Sequence, residues 1–261
     1  YQLVFNITPF YPEGGGQVGD KGYLEDEHGD VVYILDTKKE NNLIIHFAKN
    51  LPKHKDEVLK AVVDSKQRHR TECNHTATHL LHQALREVLG THVEQKGSAV
   101  HSKNLRFDFS HFAKMTAEEI NQVETMVNAK IKENIPVVIK EMNKEEAIGL
   151  GAMALFGEKE GDKVRVVVMD PAYSIELCGG THVGHTGEIG HFILKAEASG
   201  NYLLGSQIHG LAADYIRLGL TAEEAGLMQL QAAKMAKDGN FLLAMQLIAV
   251  RDAHLATALA T

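Results

Sequence analysis

Two short histidine motifs carry most of the chemistry legible in this sequence. His75-Thr-Ala-Thr-His79 sets two imidazoles four residues apart inside a run with helical periodicity. Positions i and i+4 share one helix face, so both rings can address a single ion. Far downstream, Cys178-Gly-Gly-Thr-His182 sets a thiolate and an imidazole either side of small residues. Two glycines after the thiolate let the backbone fold tightly and bring both donors onto one centre. Together the motifs offer a Cys-His₃ set, a borderline-soft group suited to one Zn²⁺ per chain. Either motif alone is a weak signal in a chain with 15 histidines; both in one chain make a site. His82 lies one turn beyond His79 and is a rival ligand, ranked below His75 because the i,i+4 pair is already complete. Cys73 points from another face and reads as a buried, inert thiol. A metalloprotease is excluded, because Thr76 stands where His-Glu-x-x-His needs its glutamate.

The elements that must position these residues read as α+β. Leu3, Phe5 and Ile7 alternate within a strand-like Tyr1–Ile7, and Val31–Leu35 and Leu43–Phe47 are short β-prone runs. Pro12-Glu13-Gly14-Gly15-Gly16-Gln17 between them fits only a loop. A helix is expected from about Asp56 to Leu89, stopped by Gly90. Leu105, Phe107 and Phe109 alternate as a strand, and Thr116 with Glu119 signals a capping box for a helix ending before Pro136. Val137–Ile139, Val164–Met169 and Ile189–Leu194 read as further strands. From about residue 196 the chain becomes rich in Ala, Leu and Met, with Thr221 and Glu224 as a second capping box. That tail is expected to be helical and is a candidate surface for homo-oligomer formation.

Composition bounds the rest. The 261 residues allow one large domain or two modest ones, and 44% hydrophobic with 23% charged residues is ordinary for a globular protein. No apolar run approaches the roughly 18–20 residues of a membrane span. Two cysteines make no disulfide framework, which favours a reducing, cytoplasmic setting. A net charge of −7 argues against bulk electrostatic binding of nucleic acid, though Lys66, Arg68 and Arg70, and Lys96, Lys103 and Arg106, form local basic clusters. The chain opens on Tyr1 rather than Met, as expected for a piece of a longer protein.

Several linked motifs then carry a resemblance. Phe10-Tyr-Pro-Glu-Gly-Gly-Gly-Gln17-Val-Gly-Asp20, His75-Thr-Ala-Thr-His79-Leu-Leu-His82, Gln95-Lys-Gly-Ser98, Leu105-Arg-Phe-Asp-Phe109, Ala152-Met-Ala-Leu-Phe156-Gly-Glu-Lys159, Val164-Arg-Val-Val167 and Cys178-Gly-Gly-Thr-His182 occur in this order. The series resembles the editing region of alanyl-tRNA synthetases and their free-standing AlaX relatives, continuously from Thr8 to about Phe192. The resemblance implies a partial glycine-rich β-barrel subdomain at 1–65 and a zinc-binding editing core at 66–195, shared with threonyl-tRNA synthetases. A helical segment of uncertain role follows at 196–261, where the resemblance weakens. It also places zinc on His75, His79, Cys178 and His182.

Such a site answers a physical need. Glycine lacks one methyl of alanine and serine adds one hydroxyl, differences that binding discriminates by only about 1–3 kcal/mol. A second, hydrolytic site acting on Ser-tRNA(Ala) and Gly-tRNA(Ala) is the expected remedy, with the tRNA(Ala) acceptor end as partner. The parent enzyme would join alanine to tRNA using ATP. Four protein ligands normally mark a structural zinc, whereas an open or exchangeable position would let zinc activate a water, the nucleophile favoured here. Thr8 is the expected reader of the serine hydroxyl, with a turn-capping role as its structural alternative. Gln17, after three glycines, and Gln95 are expected to line the substrate pocket, and Lys96 to meet a tRNA phosphate. Arg106 and Asp108 suit an ion pair. The alternatives are an AlaX-type protein acting in trans and a non-catalytic, zinc-stabilised module that docks tRNA.

Overall fold

The N-terminal strands alternate as their sequence dictates. They are β1 (Gln2–Leu3), β2 (Gly22–Glu25), β3 (Val31–Glu40), β4 (Leu43–Ala48) and β5 (Lys60–Val63), and they form an antiparallel sheet in the order β1-β4-β3-β2-β5. In β3, Val32 and Ile34 turn inward onto Phe10, Leu24 and Ala48, while Val31, Tyr33 and Leu35 face outward. The β3–β4 connection is Asn41-Asn42, both at positive φ (48° and 65°), the geometry of a two-residue hairpin turn whose twist matches the strands. The structure, a computed structural model, describes residues 1–54, 56–154 and 163–197. Tyr1–Ala196 forms one compact unit. The expected helical tail, its capping box at Thr221, and Phe156 to Lys159 lie outside the described residues.

The second half of that unit is built on α1 (Ser65–Leu89). Asp64 caps it by accepting from Gln67 N at 3.0 Å, and Gly90 at φ 118° stops it, as expected from the sequence. Then come β6 (Gln95–Val100), β7 (Leu105–Phe109), α2 (Ala117–Lys132), β8 (Val137–Asn143), α3 (Lys144–Gly149), β9 (Met153–Ala154), β10 (Lys163–Met169) and β11 (Ser174–Leu177). Thr116 and Glu119 make the expected capping box at the start of α2: Thr116 N donates to Glu119 Oε2 at 2.7 Å and Glu119 N to Thr116 Oγ1 at 3.2 Å. Strands β8-β10-β11-β9 form one sheet, with β9 parallel to β11, and β6 pairs with β7 in a hairpin. Leu80, Leu81, Ala84 and Leu85 of α1 meet Val123, Val127 and Ile131 of α2 and Val167 and Met169 of β10 in the main core.

Four expectations need correction. The N-terminal sheet is open, not a barrel, with the two-residue β1 and the four-residue β5 at opposite edges. Closure needs a continuous ladder between the edge strands, and none joins these two among the described residues. The Tyr1–Ile7 strand shrinks to Gln2–Leu3. The long helix begins at Ser65 rather than Asp56, because Lys60-Ala-Val-Val63 pairs with β2 (Gly22 opposite Val63) before Asp64 caps α1. Ile189–Leu194 is not a strand: a 3₁₀ turn at Thr186–Ile189 leads into an irregular segment docked on α2 side chains. There Phe192 N donates to Asn128 Oδ1 (2.9 Å) and Leu194 N to Glu124 Oε2 (2.8 Å), so side chains of α2 satisfy the backbone groups that a neighbouring strand would have.

Candidate metal centre

His75 and His79 lie on the face of α1 that is buried beneath the Cys178–His182 segment, and the four donor atoms of His75, His79, Cys178 and His182 all fall within 4.8 Å of one another. Cys178 Sγ is 3.4 Å from His75 Nε2 and 3.3 Å from His182 Nε2. Tetrahedral zinc, bound at about 2.3 Å to sulfur and about 2.0–2.1 Å to nitrogen, would hold its donors about 3.5 Å apart, so the set fits. His75, His79 and Cys178 are buried, and His182 is half-buried.

Each histidine is oriented through its other nitrogen. Gln17 Oε1 accepts from Thr181 N at 2.9 Å, which fixes the amide's orientation; its contact with His75 Nδ1 at 2.7 Å is therefore one in which the ring N–H donates. That leaves His75 Nε2 with its lone pair toward the centre. Glu176 Oε2 lies against His79 Nδ1, and Thr76 Oγ1 is 3.2 Å from His182 Nδ1. The turn that delivers Gln17 is closed by Gly14 N to Gln17 O (3.1 Å) and Gln17 N to Gly14 O (2.9 Å). Gly15 and Gly16 stand at positive φ within it, and a Cβ on Gly16 would overlap Ser98. Gly180 is a second obligatory glycine: a Cβ there would collide with the His75 ring and Gln17 Oε1. Arg165 donates to the carbonyls of Cys178 and Gly180, each at 2.7 Å, and so shapes the segment bearing the thiol.

The electrostatics follow from burial. Burial, then the neighbouring His79, pull His75 down to about 3, and burial with His75 and His79 pulls His182 well below the usual range. Both are therefore neutral imidazoles near pH 7, the form a metal requires. For His79 burial acts downward, but Glu176 and then Cys178 outweigh it and raise the group to about 10. For Glu176 burial acts upward, and His79, then His82, override it and bring the carboxyl to about 2.

The remaining sequence candidates fall as follows. Gln17 is fully buried and its Nε2 donates to Thr181 Oγ1 at 2.9 Å, so its amide is engaged on both sides. Thr8 Oγ1 is 2.7 Å from His46 Nε2 and accepts from Phe10 N at 3.1 Å. Gln95 Nε2 donates to Ser98 Oγ at 3.2 Å, while its Oε1 is buried with no hydrogen-bond partner among the described residues. Lys96 is exposed and paired with Glu94 at 2.8 Å. Arg106 and Asp108 form the expected ion pair, 3.1 Å apart. His82 is outside the converging set and reaches Glu176 instead. Cys73 is half-buried rather than buried, its Sγ 3.5 Å from Glu188 O.

Arg68 also changes role: it leaves the basic cluster to clamp Asp20 of the glycine-rich segment and to donate to Pro9 O at 3.0 Å. Sequence reading missed Thr76, Arg165 and Glu176. Glu176 had one signal, a carboxylate two residues before Cys178 and flanked by the apolar Ile175 and Leu177. Beside the glycine-rich turn, a cavity of about 490 Å³ is lined by Glu13, Gly14, Gly16, Lys38, Ser98 and His101, among others.

Comparison with known proteins places these features in context. Residues 164–203 match the family described as the threonyl and alanyl tRNA synthetase second additional domain, and residues 1–67 match tRNA synthetases class II (A). The chain is 58% identical over 200 residues to an alanine–tRNA ligase of Christiangramia forsetii, and 55% identical over 200 residues to one of Bacteroides fragilis. It is 56% identical over 205 residues to one of Cytophaga hutchinsonii. Each match covers 76% of this chain and 23% of the relative, so the chain spans about a quarter of their length.

Proposed function

We infer that this chain, which belongs with the alanyl-tRNA synthetases and spans about a quarter of their length, carries a zinc-dependent site that hydrolyses Ser-tRNA(Ala) and Gly-tRNA(Ala). The observation that carries the reading is the convergence of His75, His79, Cys178 and His182, each imidazole oriented by a partner on its other nitrogen. Zinc held there would supply Lewis acidity toward the aminoacyl ester and favour ionisation of a water near neutral pH. The chain's own residues would do the rest. Gln17 positions His75 and ties the glycine-rich turn to the centre, so its role becomes orientation of a ligand. Gln95 Oε1, buried without a partner among the described residues, supports contact with a donor group of the substrate, such as its ammonium. Thr8 would read the serine hydroxyl only by sharing the oxygen that His46 and Phe10 N already use. The cavity beside the turn, with Lys38 and His101 on its wall, suits the anionic terminal nucleotide of the acceptor end, and Lys96 a phosphate further along.

The whole protein would ligate alanine to tRNA(Ala) with ATP, in the cytoplasm; among the described residues no helix is long and apolar enough to cross a membrane. The test is deacylation of Ser-tRNA(Ala), Gly-tRNA(Ala) and Ala-tRNA(Ala) by this chain, with and without a chelator. Hydrolysis of the first two, sparing of the third and loss on chelation are expected. Zinc-independent hydrolysis, or none, overturns the reading. Four protein donors also favour a second reading, a structural zinc in a tRNA-docking module, which chelation should unfold.

A further inference from the structure

We propose that His82 is a positioning residue for the ligand His79, acting through Glu176; the proposal rests on the metal reading above. His79 and His82 stand three residues apart on α1 and present their Nδ1 atoms to the same carboxylate, Glu176 of β11. Glu176 Oε1 is 2.9 Å from His82 Nδ1, and Oε2 lies against His79 Nδ1. The three side chains are no more than 4% exposed.

A buried carboxylate that met only His79 would be free to turn about its terminal torsion, which is broad and roughly two-fold. A second donor on the other oxygen fixes its plane, and with it the direction in which Oε2 faces His79. His82 is itself held, with its ring centre 5.2 Å from that of Phe107 on β7. It is not a spare ligand, since it stands outside the converging donors. The path from Phe107 through His82 and Glu176 to His79 thus links the β6–β7 hairpin, which carries Gln95, to the metal centre.

The test compares His82→Leu, which removes the donor, His82→Asn, whose amide keeps an N–H near the Nδ1 position, and Glu176→Gln. Zinc affinity of the whole chain is measured by competition with a chromophoric chelator, and the ligand field by the absorption of cobalt(II) loaded in place of zinc. The expected result is zinc affinity about 10–100-fold weaker in H82L and E176Q, the usual scale for losing an outer partner of a ligand, with a shifted cobalt spectrum and recovery in H82N. Parental affinity and spectrum in H82L would overturn the proposal. So would equal weakening in H82L and H82N, which would mean that volume rather than the donor matters. Should H82L fail to fold, parental zinc affinity in E176Q overturns it instead. A parent chain that takes up neither metal defeats the metal reading and this proposal together, whereas a zinc-binding parent with silent variants defeats the proposal alone.

Discussion

Gly180 separates the candidate centre from a chance cluster of histidines. Its α-carbon approaches His75 and Gln17 so closely that a single methyl would displace both. Gly180→Ala should therefore reduce bound zinc severely, read as metal content after gel filtration, although no ligand is altered. Full zinc content in that variant would mean that the segment lies elsewhere. Thr8 offers a second test at this scale. Thr8→Val should weaken hydrolysis of Ser-tRNA(Ala) by about 1–2 kcal/mol, the scale of one lost polar contact, and leave Gly-tRNA(Ala) hydrolysis nearly unchanged. Equal loss on both substrates would assign Thr8 to its bond with His46 and to nothing else. His46 itself titrates in a definite direction: burial lowers it, against a smaller upward effect of its bond to Leu3 O. Its stabilising contribution is complete above its unfolded value of about 6.5 and is lost as pH falls through 6.5 toward the lowered folded value. The urea midpoint of His46→Phe should accordingly fall less between pH 7 and pH 5 than that of the parent.

At the scale of elements, the centre depends on the registry between α1 and the glycine-rich turn. Gln17 reaches His75 only if the turn is held against the helix, and the Arg68–Asp20 ion pair is the clamp. Asp20 is 7% exposed, and its carboxylate also accepts from Tyr11 N at 2.6 Å. Arg68→Leu leaves that carboxylate without its cation, and a loss of about 3 kcal/mol in unfolding free energy is expected from denaturant titration. A change below about 0.5 kcal/mol would show that the clamp behaves as a surface pair. Sequence legibility at this scale was uneven. The caps of α1 and α2 were readable because Gly90, Thr116 and Glu119 act on their own neighbours. The start of α1 and the fate of Ile189–Leu194 were not, because a strand partner in one case and α2 side chains in the other decided them.

For the whole molecule, the proposed zinc would either act on the substrate or hold the fold, and the two roles predict different outcomes. Cys178 decides it, as the set's one thiol. In the catalytic case Cys178→Ala should keep a melting temperature close to the parent's, because α1, α2 and β10 bury their own core, while deacylation collapses. In the structural case the melting temperature should fall sharply, with activity lost only as the chain unfolds. Thermal unfolding and deacylation rate on one preparation separate these outcomes, and a variant both stable and fully active would remove Cys178 from the centre.

The sequence by itself singled out the residues that the structure brings together. Two motifs with local spacing named His75, His79, Cys178 and His182, since helix periodicity and a glycine pair are properties of neighbouring residues. It also determined the resemblance to alanyl-tRNA synthetases, and the alternation of β3. What it did not contain was the layer behind the donors. Gln17 and Glu176 come from a turn and a strand whose distance from α1 no local pattern encodes, so their contacts with His75 and His79 could not be read from spacing. Arg68 reads from sequence as a member of a local basic cluster, because no local pattern shows Asp20 beside it. The open sheet was likewise a tertiary outcome, because whether edge strands meet depends on twist and register summed over five strands rather than on any one of them.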